Sequence, residues 1–256
     1  MNTPIKQLYG IGAAREKLLL KLGIKTFGDL LRCYPRRYED RSVVIPIDEA
    51  VMHMGEPISI VAKVVGVPEE RRIRGGRTLT RVAVEDDTGL MTLTYFNNPY
   101  IKDKLKVGKT FNFYGVCDPK MLLHMVAPQA EELKAGEQPR ILPIYPLTAG
   151  LNQPQMRRFV GQAMAKLKGK LSDPLPERLR EKYHLAELNE ALHSIHFPAD
   201  HAAIAAGRRR LIFEELLYFQ LGVNLFSRRE KDQNRFPVGK GDDGFLALQP
   251  FEPPPS

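Results

Sequence analysis

Thr78-Leu79-Thr80-Arg81-Val82-Ala83-Val84-Glu85-Asp86-Asp87-Thr88-Gly89-Leu90-Met91-Thr92-Leu93-Thr94-Tyr95-Phe96 is the stretch that decides the fold. Apolar and polar residues alternate on both sides of Asp87-Thr88-Gly89, as they do in two strands joined by a tight hairpin turn. Upstream, Ile58 to Val65 reads as an earlier strand, and downstream Thr110 to Cys117 and Met121 to Ala127 read as two more, joined by Asp118-Pro119. Between them, Pro99 to Lys106 has proline at its start and Gly108 after its end, which suits a short helix. Three strands, a short helix and two strands is the order of a five-stranded OB-fold β-barrel. Five short strands can close other small barrels, and the position of the helix favours the OB order.

The flanks have a different period. Residues 1–50 look helical, with Leu8-Tyr9-Gly10-Ile11-Gly12 before an apolar-spaced segment and Gly23 after it. Gly10 and Gly12 permit a tight turn with exposed amides ahead of a helix, the form of a helix-hairpin-helix element whose backbone can hold a phosphate. An ordinary packed helical hairpin fits the same residues equally well. Residues 147–231 are again helical, with expected helices over Gln153 to Leu167, Pro176 to Tyr183 and Leu185 to Leu192. A long helix is expected from Ala199 to Arg229. Its apolar stripe includes Ile204, Leu211, Leu216, Phe219 and Leu225, and Gly207 and Gly222 weaken it locally. Residues 232–256, rich in Gly, Asp and Pro, read as a linker or frayed end. The expected architecture is therefore α+β: a segment 1–50, an OB barrel over 51–146, a helical region 147–231 and a tail 232–256.

Composition excludes several classes. The 256 residues carry 38 Lys plus Arg against 30 Asp plus Glu, with two cysteines and no tryptophan. No apolar run approaches the roughly 20 residues needed to cross a bilayer, and the first residues lack a signal-peptide pattern. Cys33 and Cys117 stand apart from each other and from any His pair, which argues against a disulfide scaffold or a zinc ribbon. A cytoplasmic protein is the expectation. A formal net charge of +8 points weakly to a polyanionic partner, so the distribution of that charge has to decide.

Catalytic and cofactor motifs are missing from the sequence. Val107-Gly108-Lys109-Thr110 resembles the end of a phosphate loop, but Asp103 stands where the loop needs its first glycine, and Lys109 leads into a strand. His193 and His196 are three apart, yet Pro198 breaks the helix that would align His201 with them. No nucleophile elbow or paired carboxylates emerge. The expectation is no catalytic residue, no metal and no cofactor in this chain.

Nucleic-acid binding has better support. An OB fold binds through the face of its second and third strands and the loop between its first and second. Arg71, Arg72, Arg74 and Arg77 cluster in that loop, with Arg81 further along the second strand. These guanidiniums suit phosphate contacts, and a solvated basic hairpin is the alternative. At the exit of the third strand come Tyr95, Phe96 and Tyr100. Alternation sends Tyr95 to the core and leaves Phe96 and Tyr100 to stack on unpaired bases.

The run Arg37-Tyr38-Glu39-Asp40-Arg41-Ser42 after the Gly-Ile-Gly element resembles the start of the bacterial RecG family. So do Phe96-Asn97-Asn98-Pro99-Tyr100, Pro143-Ile144-Tyr145-Pro146-Leu147-Thr148-Ala149-Gly150-Leu151 with Gln155, Leu192-His193-Ser194-Ile195-His196-Phe197-Pro198, and Arg208 to Leu217. These matches span most of residues 5–231 in the family's order. The resemblance implies a wedge domain that binds branched DNA, at replication forks and Holliday junctions, within an ATP-dependent DNA helicase of recombination and repair. By resemblance, Phe96 and Tyr100 cap the bases at the junction, Arg71 to Arg77 form the basic hairpin, and the long helix leads to the motor. The family's phosphate loop, Walker B carboxylate and arginine fingers are not in this sequence. ATP and Mg are thus expected only for the motor of a longer parent, and this chain is expected to be a non-catalytic piece of it. The expected partners are branched DNA and those motor domains, with no membrane. The expected state is a monomer in the bacterial cytoplasm, associated with the nucleoid through DNA. A sequence-tolerant OB module for single-stranded DNA or tRNA, without a motor, is the competing reading.

Overall fold

A computed structural model describes residues 1–73 and 75–233, with side chains described through residue 227. The chain is α+β. It begins with two short helices, α1 (Ala13–Leu20) and α2 (Phe27–Arg32), then strand β1 (Arg37–Asp40). Next come β2 (Pro57–Val64), β3 (Glu69–Ile73), β4 (Arg77–Glu85), β5 (Leu90–Phe96), the short helix α3 (Ile101–Lys104), β6 (Thr110–Val116), β7 (His124–Val126), β8 (Gln129–Glu132) and β9 (Ile141–Ile144). Helices α4 (Gln153–Leu167), α5 (Glu177–Tyr183), α6 (Leu188–His196) and α7 (His201–Gln233) complete it.

The strands expected from alternation are β2, β4, β5, β6 and β7. They lie in one sheet ordered β7-β5-β4-β2-β6-β8, with β3 paired to β4. All pairings are antiparallel except β5 with β7. The path is open, not a closed ring. β8 occupies the second edge of β6 across Phe111 to Tyr114, so β7 reaches that strand only beyond its end, through the isolated bridge Cys117–Met125.

Four strands escape the alternation rule. β3 is exposed at every position, so no apolar period marks it; the segment read as a loop is one arm of a ribbon. Gly75 and Gly76 turn that ribbon with φ of +82° and +70°, values that suit glycine. β8 is short and polar. β1 and β9 pair only with each other, Arg37 opposite Ile144 and Asp40 opposite Ile141.

Two cores result. Ile58, Ile60, Ala62 and Val64 of β2 meet Val82, Val84, Leu93, Phe111 and Phe113 inside the sheet. A second core joins Ile5, Leu19, Phe27, Leu30 and Leu31 to Met156, Phe159 and Val160 of α4 and to Leu188 and Leu192 of α6. The first thirty residues thus pack against the late helices, not against the strands that follow them. His196 ties this core together. Its Nε2–H donates to the Leu31 carbonyl at 2.9 Å, and its Nδ1 accepts from the Tyr145 hydroxyl at 2.9 Å. Burial pushes its pKa down to about 4, which keeps the imidazole neutral.

The last helix runs His201–Gln233, close to its expected span, and among its described side chains burial is confined to the first half. Ile204 is buried, whereas Ile212, Leu216, Phe219, Leu225 and Phe226 are exposed. Gly207, expected only to weaken the helix, has a packing reason: a Cβ there would lie 2.9 Å from the Ala191 carbonyl oxygen of α6. The expected tail over 232–256 lies almost wholly outside the described residues.

Candidate nucleic-acid interface

Pairing register decides which of the candidate residues share a surface. Leu79 stands between Arg71 of β3 and Phe96 of β5, and Thr80 between Glu70 and Tyr95. Residues directly opposite across a ladder point to the same side, and neighbours along a strand to opposite sides. Arg71, Arg77, Arg81 and Phe96 therefore share one face, while Arg72 lies on the other with Glu70. All four described arginines are exposed. Arg74 lies outside the described residues.

Carboxylates divide this charge further. Glu69 is opposite Arg81 in the ladder, and its carboxylate is 3.5 Å from the Arg71 guanidinium. On the other face, Glu70 pairs with Lys102 of α3 at 3.0 Å. Among the described residues, the hairpin is a thin ribbon with three arginines and one carboxylate on the Phe96 side, not a uniform basic cluster.

The aromatics occupy a fixed corner. Tyr95 is 4% exposed, and burial pushes its phenol pKa upward, so it belongs to the sheet interior. Phe96 is 46% exposed and Tyr100 79% exposed. Between them, Asn97 adopts φ +50° and closes the ladder from both sides. The Thr78 N–H donates to Asn97 Oδ1 at 3.0 Å, and the Asn97 N–H donates to the Thr78 carbonyl at 2.9 Å. Buried Ile101 anchors the following turn, and its N–H donates to the Asn98 carbonyl at 3.3 Å. Both aromatic faces are offered to solvent while the backbone carrying them is pinned, which lowers the entropy lost when a base stacks on them.

Gly10 and Gly12 flank Ile11 of the second core, in the loop ahead of α1. Gly10 has φ +86°, and its carbonyl accepts from Arg15 Nη1 at 2.7 Å. Gly12 precedes α1 as its N-cap without a side-chain cap. The loop is clipped to α4, with the Tyr9 N–H donating to Gln162 Oε1 at 2.8 Å and Arg158 packed against Gly10.

An element absent from the sequence reading is a cleft of about 920 Å³ between the sheet and α4. Tyr100, Lys104, Arg140 and the pair Arg157-Arg158 are among the residues that line it. Only the adjacent basic pair on a helix could have signalled it, and such pairs usually mark a solvated face. Among the described residues, no group of three His, Cys, Asp or Glu side chains could hold a metal, and no helix is long and apolar enough to cross a membrane. Lys109, of the phosphate-loop-like run, pairs with Glu132 at 2.6 Å.

The family model for the RecG wedge domain matches residues 4–167, more than half of the chain. The chain belongs to the RecG wedge family. Its curated relatives include the ATP-dependent DNA helicase RecG of Bacillus subtilis, 34% identical over 91% of this chain and 34% of that protein. The RecG of Thermotoga maritima is 32% identical over 98% of this chain and 33% of that protein. A solved structure of RecG bound to a three-way DNA junction matches with a TM-score of 0.77 and 29% identity, over 98% of this chain and 35% of that one. This wedge therefore spans about one third of the length of the relatives it matches. The matched region includes both aromatics, the arginine ribbon and the Gly10 loop.

Proposed function

We propose that this chain is the branched-DNA-binding wedge module of a RecG-type ATP-dependent DNA helicase. It engages replication forks and Holliday junctions and splits the duplex there by base stacking. The observation that carries this reading is the register that puts Arg71, Arg77 and Arg81 on the same face as the exposed Phe96, with the exposed Tyr100 in the turn that follows. Phosphates would be held by Arg71, Arg72, Arg74, Arg77 and Arg81, with Phe96 and Tyr100 meeting the unstacked bases. Arg72 would reach a phosphate around the ribbon's edge. Gly10 and Gly12 would offer backbone amides to a further phosphate.

In this reading β2, β4, β5, β6 and β7 are the five strands of an OB fold. The parallel β5–β7 pairing and the short α3 between the third and fourth strands support it. The motor domains, with ATP and Mg, belong to the remainder of the parent. The module works as a monomer in the bacterial cytoplasm. A competition titration tests the proposal: three-way junction DNA should displace a labelled junction at far lower concentration than plain duplex, single strand or tRNA. Equal displacement by single strand or tRNA would favour a general OB module instead.

A further inference from the structure

Strand β1 stands between the two cores and, with β9, belongs to neither. Among the described residues the cores share no side chain. Since β1 pairs only with β9, both of its faces are free to meet other elements. Neighbours along a strand point to opposite sides, and here the alternation sorts side chains by partner.

Tyr38 and Asp40 turn to the helices. The Tyr38 hydroxyl donates to the Ile195 carbonyl at 2.9 Å, in the last turn of α6, where carbonyls lack a partner within the helix. The Arg208 guanidinium of α7 lies over the Tyr38 ring, 5.4 Å from its centroid. Asp40 accepts from His201 Nε2 at 2.8 Å, at the first residue of α7, where a carboxylate also meets the positive end of the helix dipole.

Glu39 and Arg41, the latter just past the strand's end, turn to the sheet. Both are buried, 2.6 Å apart. Arg41 donates to Gln129 Oε1 of β8 at 2.7 Å and lies over the Tyr114 ring of β6, 4.9 Å from its centroid. Its carbonyl accepts from the Ser59 hydroxyl of β2 at 2.9 Å. Three strands of the sheet thus grip one side of β1, and two helices grip the other.

His201 and Arg208 are exposed, so their contacts add little to stability. Their geometry matters more. The two residues lie on one helix, about 10 Å apart along its axis. One contact would leave a pivot, and two fix a direction. Hydrogen bonds and a cation over a ring are directional, whereas an apolar seam between two bodies is not.

We infer that β1 is a rigid tie that sets the angle of α7 to the sheet, with Tyr38 and Asp40 as positioning residues. Its consequence for DNA rests on the proposed function. There α7 leads to the motor domains, and the tie makes the Phe96–Tyr100 corner move as one body with that helix.

Electron–electron double resonance on the 256-residue chain tests the tie. Half-buried Cys33 is replaced by Ser, and nitroxides are placed at Leu90→Cys on the sheet and Phe219→Cys on α7, both exposed positions. The otherwise unaltered chain should give a single narrow distance distribution. Adding Tyr38→Phe, His201→Ala and Arg208→Gln together should widen it roughly twofold, as expected when a fixed joint becomes a hinge. His201→Ala alone should widen it less, because Arg208 still holds the helix. A second label pair within the sheet, Leu90→Cys with Val107→Cys, should keep its width in every variant. An unchanged width between sheet and helix in the triple variant would overturn the tie, and so would equal widening of the pair within the sheet.

Energy transfer carries the test to DNA, with one dye on an arm of a bound three-way junction and the other at Phe219→Cys. The triple variant should bind the junction within about twofold of wild type yet show a broader spread of transfer efficiencies. Broadening in the free chain with no junction preference in wild type would leave the tie standing and remove the proposed function. Junction preference with unchanged widths would remove the tie alone.

Discussion

Leu79 stands directly between Arg71 and Phe96 in the sheet, so a guanidinium and an aromatic ring far apart in sequence project from one row on one face. In the proposed function this row would couple phosphate binding to base stacking through three strands of continuous hydrogen bonding. The coupling predicts that Phe96→Ala weakens binding to a three-way junction by about 1–3 kcal/mol while leaving plain duplex affinity nearly unchanged. Anisotropy titrations on both substrates check this. Equal losses on junction and duplex would remove the stacking role.

The two faces of the ribbon predict unequal electrostatic effects. Changing Arg71, Arg77 and Arg81 together to Ala should reduce the salt slope for duplex-arm junctions by about 0.9 for each phosphate no longer neutralised. Arg72→Ala alone should change it less, because that side chain shares its face with Glu70 and Lys102. An identical reduction for each arginine would mean that the ribbon acts as an undirected cloud of charge.

Gly207 offers a test in which two physical effects have opposite signs. Helix propensity alone says that Gly207→Ala stabilises α7 by about 1 kcal/mol. The Cβ would sit 2.9 Å from the Ala191 carbonyl oxygen and 3.1 Å from the Ile195 side chain, so close packing of α6 on α7 has to loosen. Backbone gives way at greater cost than a side-chain tip, and overpacking of this kind typically costs about 1–3 kcal/mol. The expected outcome is a lower melting temperature. A rise would show that α6 and α7 can part without penalty.

Much of this was legible in the residues because the signals were local. The alternation in Leu90 to Phe96 located β5 and placed Tyr95 inside, and the Asn97-Asn98-Pro99 run marked the end of the strand. The arginine ribbon was found by composition but not by shape. β3 buries nothing, so it lacks the period that identifies a strand, and its register decides that Arg72 faces away from Phe96. β8 was hidden for a related reason: its pairing with β6 depends on Glu131 and Glu132 meeting Asn112 and Phe111 across the sheet, a relation with no local trace. The Arg157 cleft is assembled from α3, β8, β9 and α4, and only tertiary structure brings those walls together.

His196 makes the last prediction a matter of pH. The ring is fully enclosed, bridges the Leu31 carbonyl and the Tyr145 hydroxyl, and stacks on Tyr145 with ring centroids 5.8 Å apart. Its folded pKa is depressed from 6.5 to about 4 by burial. The unfolded chain therefore binds a proton between these values that the folded chain refuses, and stability falls as pH falls through that window. Between pH 7 and pH 5 the loss attributable to this one group is about 2 kcal/mol. The aspartates whose pKa values are lowered, Asp29, Asp40, Asp86 and Asp173, lose their contribution only at lower pH, so they do not obscure the window. Urea unfolding at pH 7 and pH 5 should show the loss in wild type. His196→Gln should be less stable at pH 7, since it breaks the two-sided bridge, yet nearly independent of pH across the same interval. A variant that kept the full pH dependence would place the responsible proton elsewhere in the chain.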